Sequence, residues 1–247
     1  MAKIVHQTPP GFRRVRVRNS SRITFMPEGE ARIAHDRFRA QAATRPLAFV
    51  DPGREIMRHV KLGHRFFFTT DLASAFDAVT ANRLRGALQW RQIPFGWITP
   101  LHFFFHEGGR GGLIQGAPSS SYLFETYCRY GGLDRALFEY CDKLGFHYSR
   151  YVDDILISSP RWLGRRVGPK IRGIVNEFGF RLNDEKTRRV DVHSEPLDVL
   201  GYVIRGTRIE PGDETMQKLH EPERDTLSSI GLFRWRRHVR SLNRRRF

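Results

Sequence analysis

The chain has 247 residues, room for one core with small appendages, and its 40% hydrophobic content with 19 Phe excludes wholesale disorder. Against 26 Asp and Glu stand 42 Lys and Arg, a formal charge of +16 that points to a polyanion partner, since each cation set against a phosphate releases condensed counterions. No apolar run approaches the roughly 18 residues that span a bilayer, so no membrane partner is expected, and two cysteines without a zinc spacing exclude a disulfide scaffold. The first residues carry no apolar signal-peptide core, and a cytoplasmic location is expected.

Phe12 to Arg18 alternates apolar and basic residues, a period of two that predicts a half-exposed strand. Asn19-Ser20-Ser21 supplies a turn, and Arg22 to Phe25 is the returning strand. Ala31, Ala34 or His35, and Phe38 give 28–43 a helical spacing. Phe66-Phe67-Phe68 reads as a short strand that delivers Asp71 at its end. Thr80 is an N-cap candidate for a helix carrying Leu84 and Leu88. After a Gly-rich loop at 108–112, a second helix starts near Pro118, breaks at Gly131-Gly132 and resumes at Leu133. Residues 147–159 read strand, tight turn, strand, with Asp153 and Asp154 at the turn. A helix then carries Val167, Ile171, Val175 and Phe178 on one face and closes at Gly179. Strands are expected at 188–192 and 199–204, and a last helix over 232–247 puts Leu232, Trp235, Val239 and Leu242 opposite a row of arginines. The pattern predicts an α+β fold.

The chemistry centres on carboxylates at strand ends. Adjacent acids in an apolar hairpin are costly to desolvate and repel one another, and a divalent cation removes both penalties. Mg²⁺ takes one or two carboxylates and completes its shell with substrate phosphates, which fits Asp71, Asp153 and Asp154. An acidic turn without chemistry is the alternative.

Five segments in order carry a family resemblance. Phe68-Thr69-Thr70-Asp71 continuing to Phe76-Asp77 resembles motif A of the bacterial reverse transcriptases, the group of retron, group II intron and diversity-generating enzymes. Leu113-Ile114-Gln115-Gly116-Ala117-Pro118-Ser119-Ser120 resembles motif B, Tyr151-Val152-Asp153-Asp154 the catalytic hairpin, Gly179 to Thr187 motif D, and Leu197 to Tyr202 motif E.

The resemblance implies a right-hand polymerase: fingers over 1–64, a palm of antiparallel sheet backed by helices over 65–210, and a reduced helical thumb over 211–247. It implies RNA-directed DNA synthesis from dNTPs on a DNA or RNA primer, with two Mg²⁺ ions (or Mn²⁺) held by Asp71, Asp153 and Asp154. Phe76 would be the steric gate against a 2′-hydroxyl, with a plain core aromatic as its alternative. Gln115 and Gly116 would line the nucleotide pocket, Ser119 and Ser120 would contact it or cap the following helix, and Arg22 and Lys186 would meet the triphosphate. Arg16, Arg18, Arg54, Tyr202, Arg236, Arg237 and Arg240 would touch nucleic acid, though Tyr202 also suits the core and Lys186 a solvated turn. Because so little follows motif E, a dedicated noncoding RNA or an accessory protein is an expected partner, as in a retron or defence ribonucleoprotein. A template-independent or RNA-synthesising polymerase and a silent RNA-binding scaffold are the competing readings.

Overall fold

The computed structural model describes residues 8–16, 23–43, 52–90, 100–105, 111–217 and 235–243. Arg18 and Arg22 lie outside the described residues, as does the side chain of Arg16.

β1 (Phe12–Arg16) and β2 (Ile23–Pro27) pair antiparallel, and the expected alternation buries Phe12 and Phe25 while Arg13 and Arg14 stay exposed. α1 (Gly29–Ala43) buries Ala31, His35 and Phe38 along one face. α2 (Pro52–Lys61) opens on a proline, whose missing N–H needs no partner there, and buries Ile56, Met57 and Val60. β3 (Phe66–Asp71) and the short α3 (Ala75–Ala78) follow, then α4 (Ala81–Trp90), which Thr80 caps by accepting the Arg83 N–H at 3.3 Å. Next come α5 (Pro100–Phe103), α6 (Ser120–Gly131) and α7 (Leu133–Lys143), the last two separated at Gly132, whose φ of 100° favours glycine. β4 (His147–Tyr151), β5 (Asp154–Ser159), α8 (Val167–Glu177) and β6 (Arg188–Asp191) precede β7 (Leu197–Val199), β8 (Tyr202–Arg205), β9 (Arg208–Pro211) and α9 (Asp213–Gln217). A final helix, α10, covers 235–243.

Two expectations need correction. The single strand at 199–204 is two strands, because the chain turns at Leu200 (φ 54°) and Gly201 (φ 77°). Ser119 and Ser120 do not cap α6 with their side chains: the Ser119 hydroxyl shares a 2.9 Å hydrogen bond with His35 Nδ1, and Ser120 donates to the Ile114 carbonyl.

The described residues fall into two compact units that interleave along the chain. The first draws on Met1–Phe49, Ala73–Ala136 and Ile174–Arg181. There Phe12, Phe25, Ala31, Phe105, Ile114 and Ala117 form one apolar cluster. The second draws on Val50–Leu72, Leu137–Gly173 and Leu182–Phe247. It contains a four-stranded antiparallel sheet in the order β4-β5-β3-β6 and the three-stranded sheet β7-β8-β9. One face of the larger sheet, through Phe67, Leu156 and Val190, joins α2, the smaller sheet and Val239 and Leu242 of α10 in a single core. Phe68 turns to the other face and packs against α8 near Gly168, where a Cβ would crowd the Arg189 guanidinium at 2.8 Å. Burial on both faces explains why β3 and β5 read as near-continuous apolar runs.

Candidate active site

All three predicted acids lie in the second unit, at one end of its larger sheet. β3 and β5 pair so that Asp71 stands opposite Asp154, and opposed antiparallel residues point to the same face. Asp153 occupies the two-residue turn between β4 and β5, where Tyr151 pairs with Asp154. Val152, the other turn residue, has φ 55°, a left-handed conformation that hairpins usually give to glycine. For a β-branched residue this strain costs about 1–3 kcal/mol and tends to be kept where function holds it. Arg150 donates to the Val152 carbonyl at 2.5 Å and braces the turn. Sequence reading missed Arg150 and the strain at Val152; the available signal was a β-branched residue in a loop too short for one.

Asp71 is fixed from several sides. Its carbonyl accepts the Asn183 N–H at 2.9 Å, and the next residue, Leu72, donates its N–H to the Asp153 carbonyl at 2.9 Å. Thr70 and Thr187 share a 2.7 Å hydrogen bond, and Thr187 donates to the Asn183 carbonyl, so the 183–187 turn is tied to β3. That turn delivers Lys186, whose Nζ donates to Asp71 Oδ2 at 2.6 Å. Asp71 is 7% exposed, and its Oδ1 is buried with no hydrogen-bond partner.

The electrostatics follow from this crowding. Burial, then the charges of Asp153 and Asp71, push the Asp154 carboxyl up to about 6. Burial, more than the neighbouring charge of Asp71, also raises Asp153. The Asp71 hydrogen bond raises Lys186, so its ammonium is held charged against the acids. Lys186 and, beside Asp153, Arg150 therefore face three carboxylates, and Asp71 Oδ1 has no hydrogen-bond partner. A divalent cation suits this donor set. Among the described residues no three His, Cys, Asp or Glu side chains come together closely enough to hold a metal ion by themselves. An Mg²⁺ site that borrows substrate phosphates does not require such a cluster.

A groove runs beside Asp154, lined by Pro52, Glu55 and Ile56 of α2, by Arg150 and Tyr151, and by Val199 and Leu200. Leu200 lines this groove with φ 54°, so among the described residues of the second unit both non-glycine residues with positive φ, Val152 and Leu200, lie beside the acids.

The other expected residues divide between the units. Phe76 belongs to the first, half-buried at the start of α3 and stacked on Phe124 with centroids 5.2 Å apart. Gln115 is exposed there, and Gly116 has φ 84°, with the Thr24 side chain filling the space of a Cβ and donating to the Gly116 carbonyl at 3.0 Å. In the second unit Arg54 is exposed on the first turn of α2, Arg236 is half-buried, and Arg237 and Arg240 are exposed on α10. Tyr202 is 2% exposed and its hydroxyl accepts the Trp235 indole N–H at 3.0 Å, so it sits in the core and not on a nucleic-acid face.

Residues 29–204 match the family described as reverse transcriptase (RNA-dependent DNA polymerase). The chain belongs to the reverse transcriptase family. Members of this family work with divalent metal ions. Among curated relatives, the retron Mx65 reverse transcriptase of Myxococcus xanthus is 31% identical over 56% of this chain and 36% of its own. The retron Ec86 reverse transcriptase of Escherichia coli is 26% identical over 64% of this chain and 48% of its own. The chain thus spans about a third to a half of the length of these relatives. Among solved structures, apo telomerase from Candida tropicalis, truncated from the C-terminal domain, superposes with a TM-score of 0.52 at 12% identity over 85% of this chain and 56% of that one. That likeness supports the right-hand polymerase fold. No helix among the described residues is long and apolar enough to cross a membrane.

Proposed function

We propose that this chain extends a primer 3′-hydroxyl with dNTPs on an RNA template. The observation that carries the reading is the acidic end of the sheet: three carboxylates, one lysine, and a buried Asp71 oxygen without a partner. Asp71 and Asp153 would hold two Mg²⁺ ions, with Asp154 assisting one of them. Ions bound there would favour ionisation of the attacking hydroxyl and neutralise charge on the departing pyrophosphate.

The chain's own residues do the remaining work. Asn183 and the β3–β5 ladder keep Asp71 in place, and Arg150 keeps the hairpin turn from relaxing. Lys186 would contact nucleotide phosphates or supply a proton to the pyrophosphate. Phe76 would exclude a 2′-hydroxyl, while Gln115 and Gly116 line the nucleotide pocket. Fingers, palm and thumb at 1–64, 65–210 and 211–247 remain our division of labour, with Arg236, Arg237 and Arg240 of α10 meeting the duplex backbone. The retron relatives support a dedicated structured RNA as the partner in the cell.

Primer extension on an RNA template with dNTPs and Mg²⁺, beside the Asp153→Ala, Asp154→Ala double variant, tests this. Template-length product that the variant does not make is the expected result. Product from the double variant, or extension that ignores the template sequence, would overturn it.

A further inference from the structure

The end of the larger sheet opposite the acids carries a second constellation, all within the second unit. β3 and β5 run from the Asp71–Asp154 pair to the Phe66–Ser159 pair. Five residue steps of strand place these ends about 17 Å apart. Just past Ser159 the chain reads Pro160-Arg161-Trp162-Leu163-Gly164-Arg165-Arg166. Leu163 is buried at 1% and anchors this loop, yet Trp162 beside it is 57% exposed. Exposed apolar side chains are ordinary on a surface, but this indole is held in position among basic residues of its own loop.

Its ring meets Phe66 at 85° with centroids 5.4 Å apart. Arg65 lies over the same Phe66 ring at 5.1 Å and is itself clamped by two hydrogen bonds to Asp191. Arg161 is fixed by donating its backbone N–H to Ser159 Oγ and its guanidinium to the Leu144 carbonyl. Arg165, Arg166 and Lys170 are exposed, and among the described residues none is paired with an acid. A fixed aromatic face in the same loop as unneutralised cations suits an unpaired nucleic-acid strand: a ring for a base and charges for its phosphates. A lipid surface is the poorer fit, since its binding grows with buried apolar area and the centre here is one indole.

We infer that the Trp162 loop is a second nucleic-acid site, binding an unpaired strand about 17 Å from the catalytic acids by stacking a base on Trp162 and pairing its phosphates with Arg165 and Arg166. The site does not depend on polymerisation. Such a strand would be held while the acidic end works on a primer terminus.

The test uses the full chain with a blunt RNA–DNA duplex in saturating amount to fill the polymerase site. A fluorescein-labelled ten-nucleotide uridine RNA is titrated by anisotropy, with its DNA counterpart and phosphatidylserine vesicles in parallel. Trp162→Ala and the Arg165→Glu, Arg166→Glu double variant should each weaken strand binding about tenfold or more. Trp162→Phe, which keeps a stacking face, should stay near the parent, and extension of a short primer–template should not change in any of them. Loss with both strands supports a site that reads bases and phosphates; loss with RNA alone supports one that also reads the 2′-hydroxyl. Unchanged affinity in the exposed-arginine variant would overturn the site. So would variants that lose vesicle binding while keeping the oligonucleotides.

Discussion

At the scale of single residues, the acids show stability set against function. Asp154 is pushed up to about 6, first by burial and then by Asp153 and Asp71. A carboxyl raised in the fold keeps its proton while the unfolded chain ionises, so the cost to stability builds from the unfolded pKa upward and is complete above the folded value. Screening of a partly exposed group brings that cost to about 1–2 kcal/mol. Asp154→Asn removes it. In metal-free protein at pH 7 the melting temperature should rise by a few degrees while polymerisation is lost. A lower melting temperature would mean that Asp154 stabilises the fold. Phe76 makes a second residue-scale case. Its ring is half-buried against Phe124, which suits a gate whose face is supported from behind and also suits a core residue. Phe76→Val should raise ribonucleotide use relative to dNTP about tenfold or more in kcat/KM, a shift of at least about 1.4 kcal/mol. A variant that merely melts earlier, with unchanged discrimination, would be reporting a core aromatic.

At the scale of elements, α10 is attached through contacts that leave no slack. Asn243 brackets Ile209 of β9, accepting its N–H at 3.1 Å and donating to its carbonyl at 2.8 Å, while Trp235 reaches the Tyr202 hydroxyl. Gly53 of α2 lies beneath: a Cβ there would stand 2.8 Å from both Leu242 Cδ1 and the Tyr202 oxygen. Gly53→Ala should therefore cost about 1–3 kcal/mol and loosen α10, seen as faster proteolysis in its neighbourhood and a lower melting temperature. Equal protease resistance would show that α2 can shift to accommodate the methyl group. This docking was half legible. The face of Leu232, Trp235, Val239 and Leu242 announced an amphipathic helix, and Val239 and Leu242 are indeed buried. Nothing local named the surface they bury against, because α2 and β8 lie far off in sequence. The same division holds elsewhere. Period-two alternation found β1, the Asn19-Ser20-Ser21 turn signal pointed to β2, and Thr80 marked the start of α4, since all three signals are local. The break at Leu200-Gly201 went unseen because a leucine with positive φ has no local signature. Asp71 and Asp153 could be read from their motifs. The Asp71–Lys186 pair could not, because it depends on the 183–187 turn being tied to β3 through Thr70 and Thr187.

At the scale of the whole molecule, the chain carries a formal charge of +16 with its ten histidines neutral, and protonating them adds to that charge. His35 and His59 are buried, and His64 and His147 half-buried. His59 shares hydrogen bonds with Ser158 and Ser149, and its ring centroid is 4.4 Å from that of His147; His64 also shares a bond with Ser158. Burial lowers all three, His59 furthest, with His147 and His64 adding their charges to it, and His64 and Arg58 adding theirs to His147. His35, between Ser119 and the His102 carbonyl in the first unit, is lowered as well. Below about 6.5 the unfolded chain takes protons that these sites refuse, at about 1.4 kcal/mol per pH unit for each site that refuses fully. Stability is complete above that value and falls as the solution becomes acidic. Asp154, below about 6, and Asp153, also raised, work in the opposite direction, but they are two groups against four. The melting temperature should therefore drop between pH 7.5 and 5.5. His59→Asn should start lower, having lost a well-bonded core residue, yet descend less steeply because one refused proton is gone. If its slope equals that of the parent chain, the acid sensitivity belongs to self-repulsion of the basic surface, and added salt should then remove it in both proteins alike.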